Sequence, residues 1–184
     1  NATNIGPAAS RNKGAQLAKG EIFLFLDSDV EIASNALEKF ANWFQHKEVA
    51  AVSANLKLPS LSENFLGSYC TLDLMEVLSW CGVSQGPLNF WTSTAGAIRR
   101  DVFFDSGQFD ETYRNPDIED HELAFRMMKK YKLFYDSSIQ FRHAYDSHWL
   151  VIKKAFMRSF YLANLPFDLS QNAVFKNARK FFHI

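Results

Sequence analysis

The chain has 184 residues, 47% hydrophobic and 22% charged, an ordinary globular composition large enough for one sizeable core. Twenty basic and twenty acidic residues cancel, no nucleic-acid partner is expected, no apolar run approaches membrane-spanning length, and nothing at the N-terminus resembles a signal peptide. Two cysteines, Cys70 and Cys81, make neither a metal-ligand pattern nor a disulfide framework, and read as reduced, apolar residues of a cytoplasmic protein. The neutrality hides an asymmetry: residues 1–148 carry 14 basic and 19 acidic side chains, residues 149–184 carry 6 and 1. Eighteen phenylalanines predict an aromatic-rich core.

In chain order, Pro7 opens a helix that the following alanines favour and Gly20 can end. The run IFLFL, 22–26, reads as a strand buried on both faces. Such a strand needs neighbours on both sides, and no strand pattern precedes the helix, so the chain is expected to begin inside a domain. Ser34 can cap a helix whose apolar stripe is Leu37, Phe40, Ala41 and Phe44. VAAVSANL, from Val49, reads as the next strand, and a second helical stretch runs from about Ser62 to Trp80. SQGPLNFW, 84–91, reads as a turn-rich loop with exposed aromatics; TSTAGAIRR, 92–100, is small and strand-prone before it breaks into charge. SGQFDE, 106–111, reads as a loop. Pro116 and Asp117 open a helix with Leu123, Ala124, Met127, Met128 and Tyr131 on one face, and KLFYD and IQFRHAY look like two short strands.

Carboxylates mark the candidate site. Asp27 and Asp29 stand at the carboxyl end of a buried strand, where ligands bind in open α/β sheets and where an unpaired carboxylate is expensive. Spaced by one residue, they suit a hard divalent cation that neutralises a phosphate or pyrophosphate; a solvated turn with Asx hydrogen bonds is the bland alternative. In PDIEDHELAFR, with Asp117 as N-cap, Glu119 and Asp120 fall in a first helical turn, which favours ionised carboxylates by itself. Asp120 is in phase with Leu123, Ala124 and Met127, so its carboxylate points toward the packed side and suits a general base. His143, with His148 five residues on, is a third candidate; two acids and an imidazole suit manganese or a similar ion.

These clusters, in this order, resemble the family 2 glycosyltransferases. GPAASRNKGAQLAKGEIFLFLDSDV resembles the segment leading into that family's D-x-D motif; TAGAIRRDVFFDSGQFDE resembles its small-residue strand and Gly-Gly-Phe-Asp-Glu stretch; IEDHELAFRM looks like its Glu-Asp motif. The resemblance covers about residues 1–148 and implies a GT-A fold, a Rossmann-like mixed sheet flanked by helices, here as a partial domain. It implies an inverting transfer of a sugar from a nucleotide-diphosphate donor to a hydroxyl of a saccharide or lipid-linked saccharide. By that resemblance Asp29 binds the divalent cation (Mn2+ or Mg2+), Asp27 contacts the ribose or the ion's water shell, and His143 is a further metal ligand. Arg11 lies near the nucleotide, Asp120 is the catalytic base, and Glu119 helps to hold acceptor or donor sugar.

Two departures accompany it. The family's opening strand–helix–strand, roughly 80–100 residues by ordinary element lengths, is missing, and Gln108 stands where a second glycine is frequent. The tail, 149–184, places Trp149, Ile152, Phe156, Phe160 and Ala163 on one helical face, with Lys153, Lys154 and Arg158 mostly off it. Packing on the domain is the favoured reading; peripheral contact with the inner face of the plasma membrane is the alternative. Competing functions are a non-catalytic nucleotide-sugar or carbohydrate-binding fragment and a haloacid dehalogenase-type phosphatase. That phosphatase family usually follows its Asp-x-Asp with Gly-Thr, where this chain has Val30 and Glu31.

Overall fold

The computed structural model of the chain describes residues 4–57, 60–61, 84–114 and 118–144. Within them the elements run α1 (Pro7–Leu17), β1 (Ile22–Leu26), β2 (Val30–Ile32), α2 (Ala36–Trp43), β3 (Val49–Leu56), β4 (Gln85–Pro87), β5 (Ala95–Arg99), α3 (Arg100–Asp105), α4 (Glu119–Met128) and β6 (Lys132–His143). The helix expected over 62–80, the Asp117 cap and the basic tail 149–184 lie outside the described residues.

The sheet is mixed. Its order is β1-β5-β3-β6-β2, and β4 also pairs with β6. β5 runs antiparallel to both β1 and β3, whereas β3 and β6 are parallel. The outer edge of β6 is shared: Gln85–Pro87 cover Phe134–Asp136, and Val30–Ile32 cover Phe141–His143. Among the described residues β1 is paired on one side. Phe23 and Phe25 are buried beneath the helices, while Leu26 at its end is 43% exposed. The expected burial of both faces is therefore complete for one face of β1 and partial for the other.

Two apolar layers sandwich the sheet, which is why its strands read as near-continuous hydrophobic runs. On one side Phe23, Phe25, Ile98 and Leu133 meet Ala8 and Ala15 of α1, Val102 and Phe103 of α3, and Leu123, Ala124 and Met127 of α4. On the other, Val52, Ala54, Leu56, Ala97, Ile139 and Phe141 meet Ala36 and Phe40 of α2. The aromatic core is real: Phe25 contacts Trp91, Phe103 and Phe109 with ring centroids 6.0, 5.4 and 5.3 Å away. Two of these contacts are edge-to-face, a geometry that the ring quadrupole favours.

Several local expectations fail for identifiable reasons. Leu37 is 60% exposed, because the packed stripe of α2 is Ala36 and Phe40 with the half-buried Trp43 and Phe44, one position round from the expected one. The N-cap of α2 is Asn35, not Ser34, without a side-chain cap hydrogen bond. The stretch 84–91 contributes a short edge strand, and its aromatics are buried: Trp91 is inaccessible, its indole N–H donating to the Ala97 carbonyl at 3.2 Å. The two strands expected at the end are one, Lys132–His143, with a register shift opposite Ala54 and Asn55 that produces the break in pattern. Gln108 does occupy a glycine-like conformation: its φ of 62° follows a φ of 84° at Gly107, so the frequent glycine there has a backbone reason.

Candidate active site

The chain after β1 turns sharply. The Asp27 carbonyl accepts from the Val30 N–H at 3.2 Å, which turns Asp27-Ser28-Asp29 and sends β2 back along β6. Because Val30 is the register partner of His143, Asp29 is delivered to the imidazole: Asp29 Oδ1 lies 3.6 Å from His143 Nε2. The Ala144 N–H donates to the Asp29 carbonyl at 2.9 Å and holds the pair together. A partly exposed carboxylate and imidazole converge here from residues 114 positions apart.

Asp27 faces elsewhere. Its Oδ1 accepts from the Arg11 guanidinium at 2.6 Å, and the other end of the same guanidinium donates to Glu119 Oε1, also at 2.6 Å. Arg11, on α1, thus joins the acidic turn after β1 to the first turn of α4. The Arg11 side chain is 16% exposed and that of Glu119 only 4%, so the bridge is largely desolvated. The Phe109 ring covers the guanidinium, 5.6 Å from its centroid. Burial opposes the charge on Arg11, but Asp27 and Glu119 outweigh it and raise its pKa. Next to Arg11, Asn12 clamps the loop carrying Phe109: its amide donates to the Phe109 carbonyl and to Glu111 at 2.9 Å, and its oxygen accepts from the Phe109 N–H at 3.0 Å.

Glu119 and Asp120 are adjacent yet have opposite electrostatics. Burial and the Asp120 charge raise the Glu119 pKa, against the lowering effect of Arg11. For Asp120 burial also acts to raise the pKa, but His121, the Thr92 hydroxyl, the Ser93 N–H and Arg11 together bring it below the ordinary aspartate value. Asp120 Oδ2 accepts from Thr92 Oγ1 at 2.7 Å and from the Ser93 N–H at 3.2 Å; Oδ1 accepts from the His121 N–H at 2.8 Å. Environments that push two neighbouring carboxyl groups apart assign them different roles. An ionised carboxylate at the start of α4, held by directed donors, is equipped to take a proton.

Of the six residues singled out from the sequence, Arg11, Asp27 and Glu119 form one ion-paired group with Asp120 beside it, and Asp29 and His143 form a second pair. No cluster of three or more metal-ligating side chains occurs among the described residues, and Asp27 is paired with Arg11. Asp29 and His143 offer one hard oxygen and one imidazole nitrogen, a partial donor set that fits a cation taking its remaining ligands from a diphosphate and water. The Thr92–Thr94 loop was missed by sequence reasoning; its small hydroxyl residues gave no sign of a partner beyond strand propensity.

Comparison with known proteins gives the family and the fold. Residues 1–183 match the family model described as glycosyltransferase like family 2. An uncharacterized glycosyltransferase of Haemophilus influenzae is 40% identical over 77 residues, covering 42% of this chain and 31% of that protein. The pre-mycofactocin glycosyltransferase of Mycobacterium tuberculosis is 33% identical over 132 residues, covering 67% of this chain and 27% of that protein. Among solved structures, mannosyltransferase PcManGT from Pyrobaculum calidifontis, in complex with GDP-Man and Mn2+, shares the fold with a TM-score of 0.59 at 16% identity, over 94% of this chain and 48% of its own. GalNAc-T7 with UDP, GalNAc and Mn2+ gives a TM-score of 0.60 at 16% identity, over 80% of this chain and 32% of its own. The chain belongs to the family 2 glycosyltransferases and has a GT-A-like fold, which sets aside the phosphatase reading. It spans about a third or less of the length of these curated relatives. No helix among the described residues is long and apolar enough to cross a membrane.

Proposed function

We propose that this chain carries the cation-facing and acceptor-facing parts of an inverting sugar transfer from a nucleoside-diphosphate donor to a hydroxyl of a saccharide or lipid-linked saccharide. The observation that supports it best is the Arg11 bridge, which brings the acidic turn after β1 and the first turn of α4 into one site. Asp29 and His143 would hold a divalent cation, with Asp27 facing the ribose or the cation's water shell. Such a cation, when bound, supplies Lewis-acid stabilisation to the departing diphosphate. The nucleotides and Mn2+ named for the two solved neighbours support this choice of ligand.

The remaining chemistry rests on the chain's own carboxylates. Asp120 takes the proton of the acceptor hydroxyl as its oxygen bonds to the anomeric carbon and the bond to the diphosphate oxygen breaks. One base suffices for a single displacement, which inverts the anomeric centre. Glu119, its charge offset by Arg11, helps to hold the acceptor or donor sugar. The test is to incubate the chain with nucleotide sugars and an acceptor and to read the anomeric proton coupling of the product by NMR. Inverted product is expected. Retained configuration, or no release of nucleoside diphosphate from any donor by folded chain, contradicts the proposal.

A further inference from the structure

A general base needs a fixed orientation as well as an ionised state, and the groups that fix Asp120 come from a loop 27 and 28 positions upstream. The direction of the key hydrogen bond follows from counting. A threonine hydroxyl has one proton and two acceptor sites. Thr92 Oγ1 is within reach of the Thr94 N–H at 3.3 Å and the Thr94 hydroxyl at 3.2 Å, both of which can donate to it. Its own proton is then directed to Asp120 Oδ2 at 2.7 Å. A neutral donor to a carboxylate is among the stronger and more directional protein hydrogen bonds.

The loop is held by contacts that do not involve that hydroxyl. The Thr92 N–H donates to the buried Ser53 Oγ at 3.3 Å. The Thr92 carbonyl lies so close to Gly96 that a Cβ there would sit 2.1 Å from it, so only glycine admits the approach. Trp91, immediately before, is fully buried. At the other end of the loop, the Thr94 carbonyl accepts from the Asp27 N–H at 3.1 Å. The three-residue loop therefore holds the carboxylate of Asp120 through Thr92 and Ser93 and the backbone of the acidic turn through Thr94.

The geometry points to Thr92 as a positioning residue for the proton-transfer step: its hydroxyl fixes Asp120 Oδ2, which the Ser93 N–H also occupies, so the acceptor meets the second acceptor site of Oδ1, whose first is taken by the His121 N–H. This rests on the transferase reading above. Among the described residues, the other charged or titratable groups acting on Asp120 are His121 and Glu119 on α4 and Arg11 on α1. None of them lies on the 92–94 loop, so a change confined to Thr92 alters the orientation of the base and leaves those charges in place.

The experiment compares the chain with Thr92→Val, Thr92→Ser and Asp120→Asn. The Asp120 carboxyl carbon is followed by 13C NMR through a pH titration, the Asn variant supplying the assignment. Where transfer is measured, kcat and the donor KM are separated. Thr92→Val is expected to titrate at higher pH, to lower kcat by about tenfold with donor KM held, and to move the acid limb of the rate profile upward. Thr92→Ser restores all three, which a purely structural role does not predict. An unmoved titration and an unmoved kcat in Thr92→Val, with Asp120→Asn inactive, overturn the inference alone. Full turnover by Asp120→Asn overturns the base assignment itself, and the inference with it.

Discussion

Asp120→Asn binds nucleoside diphosphate as the parent chain does, but its transfer rate falls by about 10²–10⁴-fold, the range general base catalysis ordinarily contributes. Asparagine keeps the shape, and its single oxygen can still accept from Thr92 and the Ser93 N–H, losing only the acceptor of the His121 N–H, so the scaffold survives. It cannot hold the acceptor's proton. Asp120 has no ion pair with Arg11, whose two terminal nitrogens bond Glu119 and Asp27, so the donor side of the site is left intact. Single-turnover measurement at saturating donor isolates this step, and a loss expressed in donor KM rather than in kcat would count against the base role. The pH profile carries its own sign. Asp120 has a folded pKa below the ordinary 3.8 and is ionised across the neutral range, so the loss in the variant is uniform over that range and not a shift within it.

The second large effect is on stability. Removing Arg11 leaves Glu119 buried without its cation and Asp27 without its partner. Breaking a buried pair by deleting one member costs about 3–5 kcal/mol, against a total of roughly 5–15 kcal/mol for a domain. Arg11→Ala is therefore expected to move the urea midpoint far down, or to leave the chain unfolded at room temperature. Glu119 already has a pKa above its ordinary 4.5, chiefly through burial and the Asp120 charge, and Arg11 is what opposes the rise. A carboxyl whose folded pKa is raised makes the fold most stable below its unfolded pKa, and that stability is lost as the pH rises through the folded value. The deficit of Arg11→Ala is thus smallest near pH 4 and grows toward neutrality. A deficit that is constant with pH would mean that packing, and not the charge on Glu119, is what Arg11 supplies.

The features legible in the sequence were those carried by local pattern. IFLFL ending in Asp27 announced a strand delivering carboxylates, and the phase of Asp120 with Leu123, Ala124 and Met127 placed it on the packed face of α4. Motif order gave the family and, by resemblance, a place for Arg11. What remained hidden was decided by contacts between distant positions. Arg11 and Glu119 are 108 residues apart, and nothing local records that one guanidinium serves both motifs. Thr92 looked like strand propensity because its function is one hydrogen bond to a helix not yet formed in a linear reading. Trp91 was expected to be exposed because turn residues surround it, yet the glycine at 96 opens a slot in which its indole N–H finds a carbonyl. Short elements such as β2, at three residues, are set by the register of β6 and leave almost no periodicity to detect.

The measurement that bears most directly on the central claim is a calorimetric titration of UDP and GDP into the chain, with and without Mn2+, repeated on Asp29→Ala and His143→Ala. Asp29 and His143 are 3.6 Å apart and would hold the cation together. Binding of at least one nucleotide is expected to require Mn2+ and to weaken by about tenfold or more in either variant. Binding that ignores the metal, or survives Asp29→Ala unchanged, would contradict a cation-bridged diphosphate at this turn.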